Sequence, residues 1–442
     1  MPTSSDIDSG DDWLHTGTTT LDYSTHSNLN PFNPSGITNV VDGDTALFVQ
    51  SSSLWSDVAN IQFVENNTSP DILFLTATLA PVPNGIHEGE TIVTAPFTFI
   101  NNAKIFITDQ DIDRTWASIH EIGHALGLQH PLNGDGTDSD YNQSMTVMSY
   151  NLYHPAAAIS LSASTPMYFD IQAVQDKYGV NHDYNSGDTT INIDGSAKLF
   201  TIWDGGGYDT IVATSTSNNN MIDMRDNDTV VDKVLSHGSH IGDSYFWIGP
   251  GANIEAAIGS TQNDVFFGNG LDNHIVGGGG IDTMLESGQF GSDQISGIKN
   301  LAIDGHVLTG PAMSDGNGNY KINNETLDVT SGGLQVTSAN GSSVLIQDWN
   351  ATTNNLGIHL VDNSGESAVH NAWVQYVYEF HETDITGNPS DWFAAGSSPA
   401  EKQAAIEAAA THYASGDSTQ LSIGDTFLVN SIAALPPQSA IH

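Results

Sequence analysis

The 442-residue chain contains no cysteine. Disulfide scaffolds, thiolate zinc sites and thiol nucleophiles are therefore excluded, while the redox compartment stays open. Positive charge is nearly as scarce: 9 Lys and Arg stand against 52 Asp and Glu, a formal net charge of −43. Such a field repels nucleic acid and anionic membranes and attracts metal cations, although a plain solvated acidic surface has the same composition. Long apolar runs are also missing. No window approaches the roughly 18 residues of a membrane-crossing helix. The opening "MPTSSDIDSGDDWLHTG" has neither the basic nor the apolar region of a Sec-type signal peptide. No G-x-S-x-G elbow and no phosphate loop occurs.

What is present falls into parts of different character. The length predicts two or three domains, and 38% hydrophobic residues suffice for their cores. Up to about residue 192 helix-like and strand-like patterns alternate. "TALFVQSSSLWSDVANIQFVE" puts Ala46, Leu47, Trp55, Val58 and Ile61 on a helix-compatible face, and "NNAKIFITDQ" reads as a strand. "DIDRTWASIHEIGHALG" starts with acids and stops at Gly127, so it reads as a helix; a second begins near Asp170. From about 193 Gly, Asp and Asn rise. Residues 259–285 form three blocks of nine, "GSTQNDVFF", "GNGLDNHIV" and "GGGGIDTML". Each opens with Gly, puts Asp264, Asn273 or Asp282 sixth and Phe266, Ile275 or Met284 eighth, the period of a calcium-binding parallel β-roll. Gln262 and Leu271 stand where glycine is usual and Asn273 where Asp is, so fewer or weaker calcium sites are expected. Residues 311–442 read as β-hairpins to about 362, a helix over 398–416, and a mildly apolar end with "DTFLVNSIAAL".

The chemistry concentrates in "HEIGHALGLQHP", residues 120–131. His120 and His124 lie one turn apart on one helix face and can direct two imidazole nitrogens at one ion. Glu121 sits one position round, placed for a water on that ion rather than for the ion itself. Gly127 allows a left-handed helix end, so His130 can return as a third donor. Three histidines with an open position describe a catalytic zinc site rather than a closed structural one. Glu121 is then the candidate general base of a peptide hydrolysis without covalent intermediate. A second element, "TVMSY", follows at 146–150. Asp109 onward resembles an EF-hand start but has Arg114 where glycine belongs, and "NGDGTDSD" at 133–140 reads as a flexible loop.

With these residues the chain resembles the metzincin metalloproteases, and among them the serralysins. The resemblance rests on His120, Glu121, His124, Gly127, His130 and Pro131, then on "VMSY" and "TPMYFDIQAVQDKYG". It continues through "TIWDGGGYDT" and "IGPGANIEAAIGSTQNDVFFGN", and so covers roughly residues 12 to 300. It implies an α+β fold: a metzincin-like zinc protease domain (1–192), a calcium-binding β-roll with degenerate repeats (193–310) and a β-rich C-terminal region (311–442) with a secretion signal. It implies one catalytic Zn²⁺ on His120, His124 and His130, with Tyr150 as an extra ligand that swings away to stabilise the oxyanion and Met148 as the floor. Several structural Ca²⁺ ions are implied at Asp204, the carbonyl of Gly206, Asp209, Glu255, Asp264 and Asp282. The strand "NNAKIFIT" is implied as the edge that pairs with an extended peptide. Protein or peptide substrates, a proteinaceous inhibitor, a monomer, and one-step export to the extracellular space by a C-terminal signal complete the expectation, with no nucleic acid and no membrane insertion. The other reading is a calcium-dependent surface-binding module with a vestigial protease half. The complete ligand set with Glu121 argues against it.

Overall fold

The computed structural model describes residues 3–361, except for 11, 14–17, 31–36, 80–88, 95–98, 101, 109–113, 135, 157–158, 215–218, 227–229, 232–233, 236, 316 and 351–355. The helix expected over 398–416 and the "DTFLVNSIAAL" segment lie outside the described residues.

The first part is a sheet with helices packed on it. Its strands run in the order Ile61–Glu65, Thr19–Ser24, Ile72–Leu79, Asn102–Thr108, Gly89–Thr94, with Ile37–Asp42 added antiparallel to Ile72–Leu79. The first four are mutually parallel, and Gly89–Thr94 runs antiparallel to Asn102–Thr108. Helix α1, Thr45–Val58, starts where the Asp44 carboxylate accepts the Leu47 N–H, and it buries Phe48, Trp55 and Val58. Ile61, expected on that helix face, opens the next strand instead. Helix α2, Arg114–Ala125, packs between α1 and strands Asn102–Thr108 and Gly89–Thr94. Helix α3, Tyr168–Tyr178, closes this part, and Gly179 ends it at φ 83°.

One expectation is corrected here. Asn102–Thr108 is not an edge, because Ile72–Leu79 and Gly89–Thr94 hydrogen-bond to its two sides. Both its faces are buried as well. Ile105 and Ile107 lie in the core under the helices, and Phe106 lies with Leu73, Leu75 and Ile37 on the opposite face. Its apolar run reflects burial on both faces, which the sequence shares with an edge strand. The last strand of the sheet among the described residues is Gly89–Thr94.

Beyond residue 180 the described chain is β throughout, so the α+β mixture expected of the whole is confined to the first part and the protein is mostly β. Successive segments wind alternately into two sheets. One stacks Thr190–Ile193, Thr210–Ala213, Ala256–Ile258, His274–Val276, Ser292–Ser296 and Ser343–Ile346 in parallel. The other runs Met221–Asp223, Val265–Phe267, Asp282–Glu286 and Ile298–Ile303 in parallel. Each nine-residue block crosses from one sheet to the other: Phe266 registers with Met284 two blocks later, while Ile275 lies opposite, and all three are fully buried. Tyr320–Ile322, Glu325–Thr330, Gly333–Thr337 and Ser343–Ile346 form the antiparallel hairpins read from the Gly/Asn turns. They extend the first of these sheets without a break at residue 310.

Candidate metal centre

Helix α2 ends in a Schellman arrangement. Gly127 adopts φ 88°, its N–H reaches the His124 carbonyl at 3.0 Å, and the Leu128 N–H reaches the Gly123 carbonyl at 3.0 Å. Two of the remaining terminal carbonyls are met by side chains: Trp13 Nε1 donates to Ala125 O at 2.9 Å and the Tyr178 hydroxyl to Leu126 O at 2.7 Å. The chain thus reverses within four residues and brings His130 back over the helix.

The three rings then converge. His130 Nε2 lies 3.2 Å from Nε2 of His120 and 3.2 Å from Nε2 of His124. A tetrahedral ion with bonds of about 2.0–2.1 Å holds its nitrogens about 3.3 Å apart, so the spacing fits zinc. Among the described residues no other three His, Asp or Glu side chains bring ligand atoms within 4.8 Å of one another. The tautomers suit an ion too. His120 Nδ1 lies 2.9 Å from Val147 O, and His124 Nδ1 lies 2.9 Å from Leu128 O. A carbonyl only accepts, so each Nδ1 carries the proton and each Nε2 presents a lone pair to the centre. Burial, and then the neighbouring rings, push His120 well below the usual histidine value and His124 down to about 4, so both are neutral at neutral pH.

Glu121 is buried beside the triad, and its backbone carbonyl accepts from Thr91 Oγ1 at 2.9 Å, which ties α2 to the outermost strand. Tyr150 is 44% exposed, and its ring stacks on His120 at 5.2 Å between centroids and stands 4.7 Å from His130. Met148 is fully buried. Its sulfur lies 2.7 Å from where a Cβ on Gly123 would stand, with Trp55 on the other side. Glycine in the last turn of the histidine helix is therefore what lets the methionine pack beneath it. The loop expected over 133–140 is tied at two of its described residues to the segment that carries Tyr150. Tyr150 N–H donates to Gly136 O at 2.8 Å, Asn151 Nδ2 donates to Asp138 O at 2.7 Å, and a side chain at Gly136 would overlap the Tyr150 ring.

Sequence reasoning missed Asp170. Its fully buried carboxylate accepts from Thr146 Oγ1 at 2.6 Å, Val147 N at 2.6 Å and Met167 N at 2.8 Å. Val147 in turn offers its carbonyl to His120, so one side chain on α3 sets the backbone that orients a ligand. Burial pushes this carboxyl up to about 7 although three donors pull the other way. Two of its three donors lie more than twenty positions upstream, and no local pattern announces them.

The six residues expected to hold calcium fall into two groups in the wound part. Asp204 and Asp209 face each other beside Glu255, whose Oε2 accepts the Asp209 N–H at 2.7 Å. Asp204 Oδ1 accepts from the Gly206 N–H at 3.0 Å, and Gly206 adopts φ 139°. Oδ2 of Asp204 and Oδ2 of Asp209 are buried with no hydrogen-bond partner. Asp264 accepts from Asn220 N and Nδ2 and from Ser260 N and Oγ, while Asp282 Oδ1 accepts the Asp264 N–H at 2.9 Å and Asp282 Oδ2 has no donor. Burial pushes Asp204 and Asp282 up to about 7 and raises Glu255 and Asp264. Buried carboxylate oxygens without donors are costly alone and suit a hard cation.

Fold and site together define a protein that gathers three imidazoles on a helix and its following turn, ahead of a long wound β segment. Comparison with known proteins shows what part of the chain is similar to. No family model matches the chain. A serralysin of Photorhabdus laumondii is 30% identical over 266 residues, covering 50% of this chain and 52% of its own length. A metallopeptidase AprA of Pseudomonas marginalis is 28% identical over 298 residues (58% and 60%), and a metalloprotease AprA of Pseudomonas entomophila 31% over 274 residues (52% and 53%). The chain spans about half the length of the curated relatives it matches. Through that matched half it is similar to the serralysin-type metalloproteases.

Proposed function

We propose that this chain is a secreted zinc-dependent endopeptidase that hydrolyses peptide bonds of extended protein substrates. The observation that carries the reading is the convergence of three Nε2 atoms whose lone pairs are fixed by protons on the far side of two rings. When bound, zinc lowers the pKa of its water from about 15.7 towards about 7 and polarises a carbonyl. Glu121 takes the proton of the attacking water and returns it to the leaving amine. Tyr150, beside His120 and His130 and partly exposed, would donate a hydrogen bond to the oxyanion and, turned inward, would offer the metal a further oxygen ligand. Met148 keeps the underside of the triad dry.

The substrate adds as a strand to Gly89–Thr94, which runs along α2 at the Thr91–Glu121 contact. Residues 1–192 form the protease domain. Residues 193–310 form a β-roll with Ca²⁺ at Asp204, Gly206, Asp209, Glu255, Asp264 and Asp282, and 311–442 carry further β structure and the export signal. The charge of −43 suits calcium loading after export. Casein incubated with the purified protein, with and without a zinc chelator, tests the reading. Cleavage that the chelator abolishes and zinc restores is expected. Absence of chelator-sensitive cleavage overturns it and favours a calcium-dependent binding module.

A further inference from the structure

A short segment near the start of the chain, residues 3–9, touches the turn, the loop and the helix that support the metal centre. Residues 7–9 run antiparallel to 127–129, the turn that carries the chain from His124 to His130. The Gln129 N–H donates to Ile7 O at 2.7 Å and the Ser9 N–H to Gly127 O at 3.1 Å, and Ser9 Oγ donates to that same carbonyl at 2.6 Å. The turn is thus held on both sides of Leu128, whose carbonyl fixes the His124 tautomer, and directly before His130.

The segment is itself anchored at successive residues. Asp6 Oδ2 accepts from the Tyr141 hydroxyl at 2.7 Å. The Tyr141 carbonyl in turn takes Ser149 Oγ at 3.2 Å and Asn151 Nδ2 at 2.9 Å, from the residues on either side of Tyr150. Ile7 is fully buried in the core. Asp8 pairs at 2.5 Å with Lys177, whose side chain is 6% exposed and which lies on α3, the helix that supplies Asp170. Gly127 gives the turn its left-handed bend, and glycine is also the residue with the most backbone freedom to lose. Pairing with residues 7–9 withdraws that freedom in advance, so metal binding does not carry the ordering cost.

We propose that residues 3–9 are a strap that positions His130 and thereby sets how firmly zinc is held; the inference rests on the triad binding zinc as proposed above. Ser9 and Asp8 are positioning residues, since they act on the ion only through the turn. Displacing or cutting the strap then switches the site off by metal loss without altering a ligand. Zinc transfer from the full-length chain to a chromophoric chelator tests it. Ser9→Pro removes both donors to Gly127 O, and Asp8→Ala frees the strap from α3. Each is expected to hold zinc about 10–100-fold more weakly than wild type. In the cobalt-loaded chain the visible absorption of the site should shift in both variants, which a loss of stability elsewhere would not produce. Wild-type zinc affinity, or an unchanged cobalt spectrum, in both variants overturns the proposal. Hydrogen exchange of the unmodified chain decides the case in which the variants fail to fold. Coupling is reciprocal, so zinc loading should slow exchange at the Ser9 amide as well as at Gln129, and an unchanged Ser9 amide overturns the strap. A zinc-loaded wild type that leaves casein intact, with variants that still lose zinc, refutes the endopeptidase reading and supports the strap.

Discussion

In the helical part, His120 and His124 each donate a hydrogen bond from Nδ1 to a backbone carbonyl, and the Asp170 carboxylate meets three donors. In the wound part, Asp204, Asp209, Asp282 and Asp293 each keep a buried oxygen with no donor. The difference teaches where each part gets its order. The histidine site is assembled by hydrogen bonds and packing that need no ion, so a metal enters a prepared cradle. The wound part buries carboxylate oxygens that the chain's own donors leave unmet, so on the proposed reading its order depends on cations.

The comparison can be broken at several points. The largest effect is expected from Glu121→Ala: casein hydrolysis falls by about 10²–10⁴-fold while zinc content, read by metal analysis, stays at one per chain. Retained activity refutes the assigned base. Next, Asp170→Ala removes the support of the Val147 carbonyl and weakens zinc binding about tenfold in competition with a chromophoric chelator, whereas calcium binding is unchanged. Equal loss of both metals would erase the distinction between the parts.

Gly123→Ala places a Cβ against Met148 and Trp55. It lowers the stability of the helical part by about 1–3 kcal/mol, measured by denaturant unfolding. Tyr150→Phe reduces turnover by a smaller factor and leaves zinc bound; loss of the metal instead would contradict its peripheral place.

The smallest effect is a pH trend that sharpens the contrast. The carboxyls of Asp204 and Asp282 are raised to about 7 in the folded chain, above their unfolded value near 3.8. The folded state therefore holds more protons between these values, and stability from these groups is lost as pH rises through about 7. On the proposed reading calcium replaces those protons. The gap between calcium-loaded and calcium-free melting temperatures should thus widen from pH 5 to pH 8, and a constant gap would show that these groups do not bind the ion.

Much of this was legible because it is local. The i, i+4 histidines, the Gly127 stop and the Phe266–Ile275–Met284 period depend on the geometry of one helix or one winding, and the structure keeps them. What misled was a pattern with two origins. Asn102–Thr108 is apolar because both faces are covered, and the strand that covers its outer side, Gly89–Thr94, carries no comparable apolar run. Asp170 was silent for another reason: its three donors come from a turn over twenty residues away and from the residue that precedes its helix.

By itself the sequence determined which imidazoles share a helix face and in what periodic frame the apolar side chains recur, since helix and winding repeats are set by backbone geometry within a few residues. Only the tertiary structure decided which strand lies outermost beside α2, which acid orients His120 through Val147, and that residues 7–9 pair with the turn between His124 and His130. Those outcomes depend on contacts between segments far apart in the chain. There, burial and the supply of hydrogen-bond donors, rather than local repeat, set the free energy.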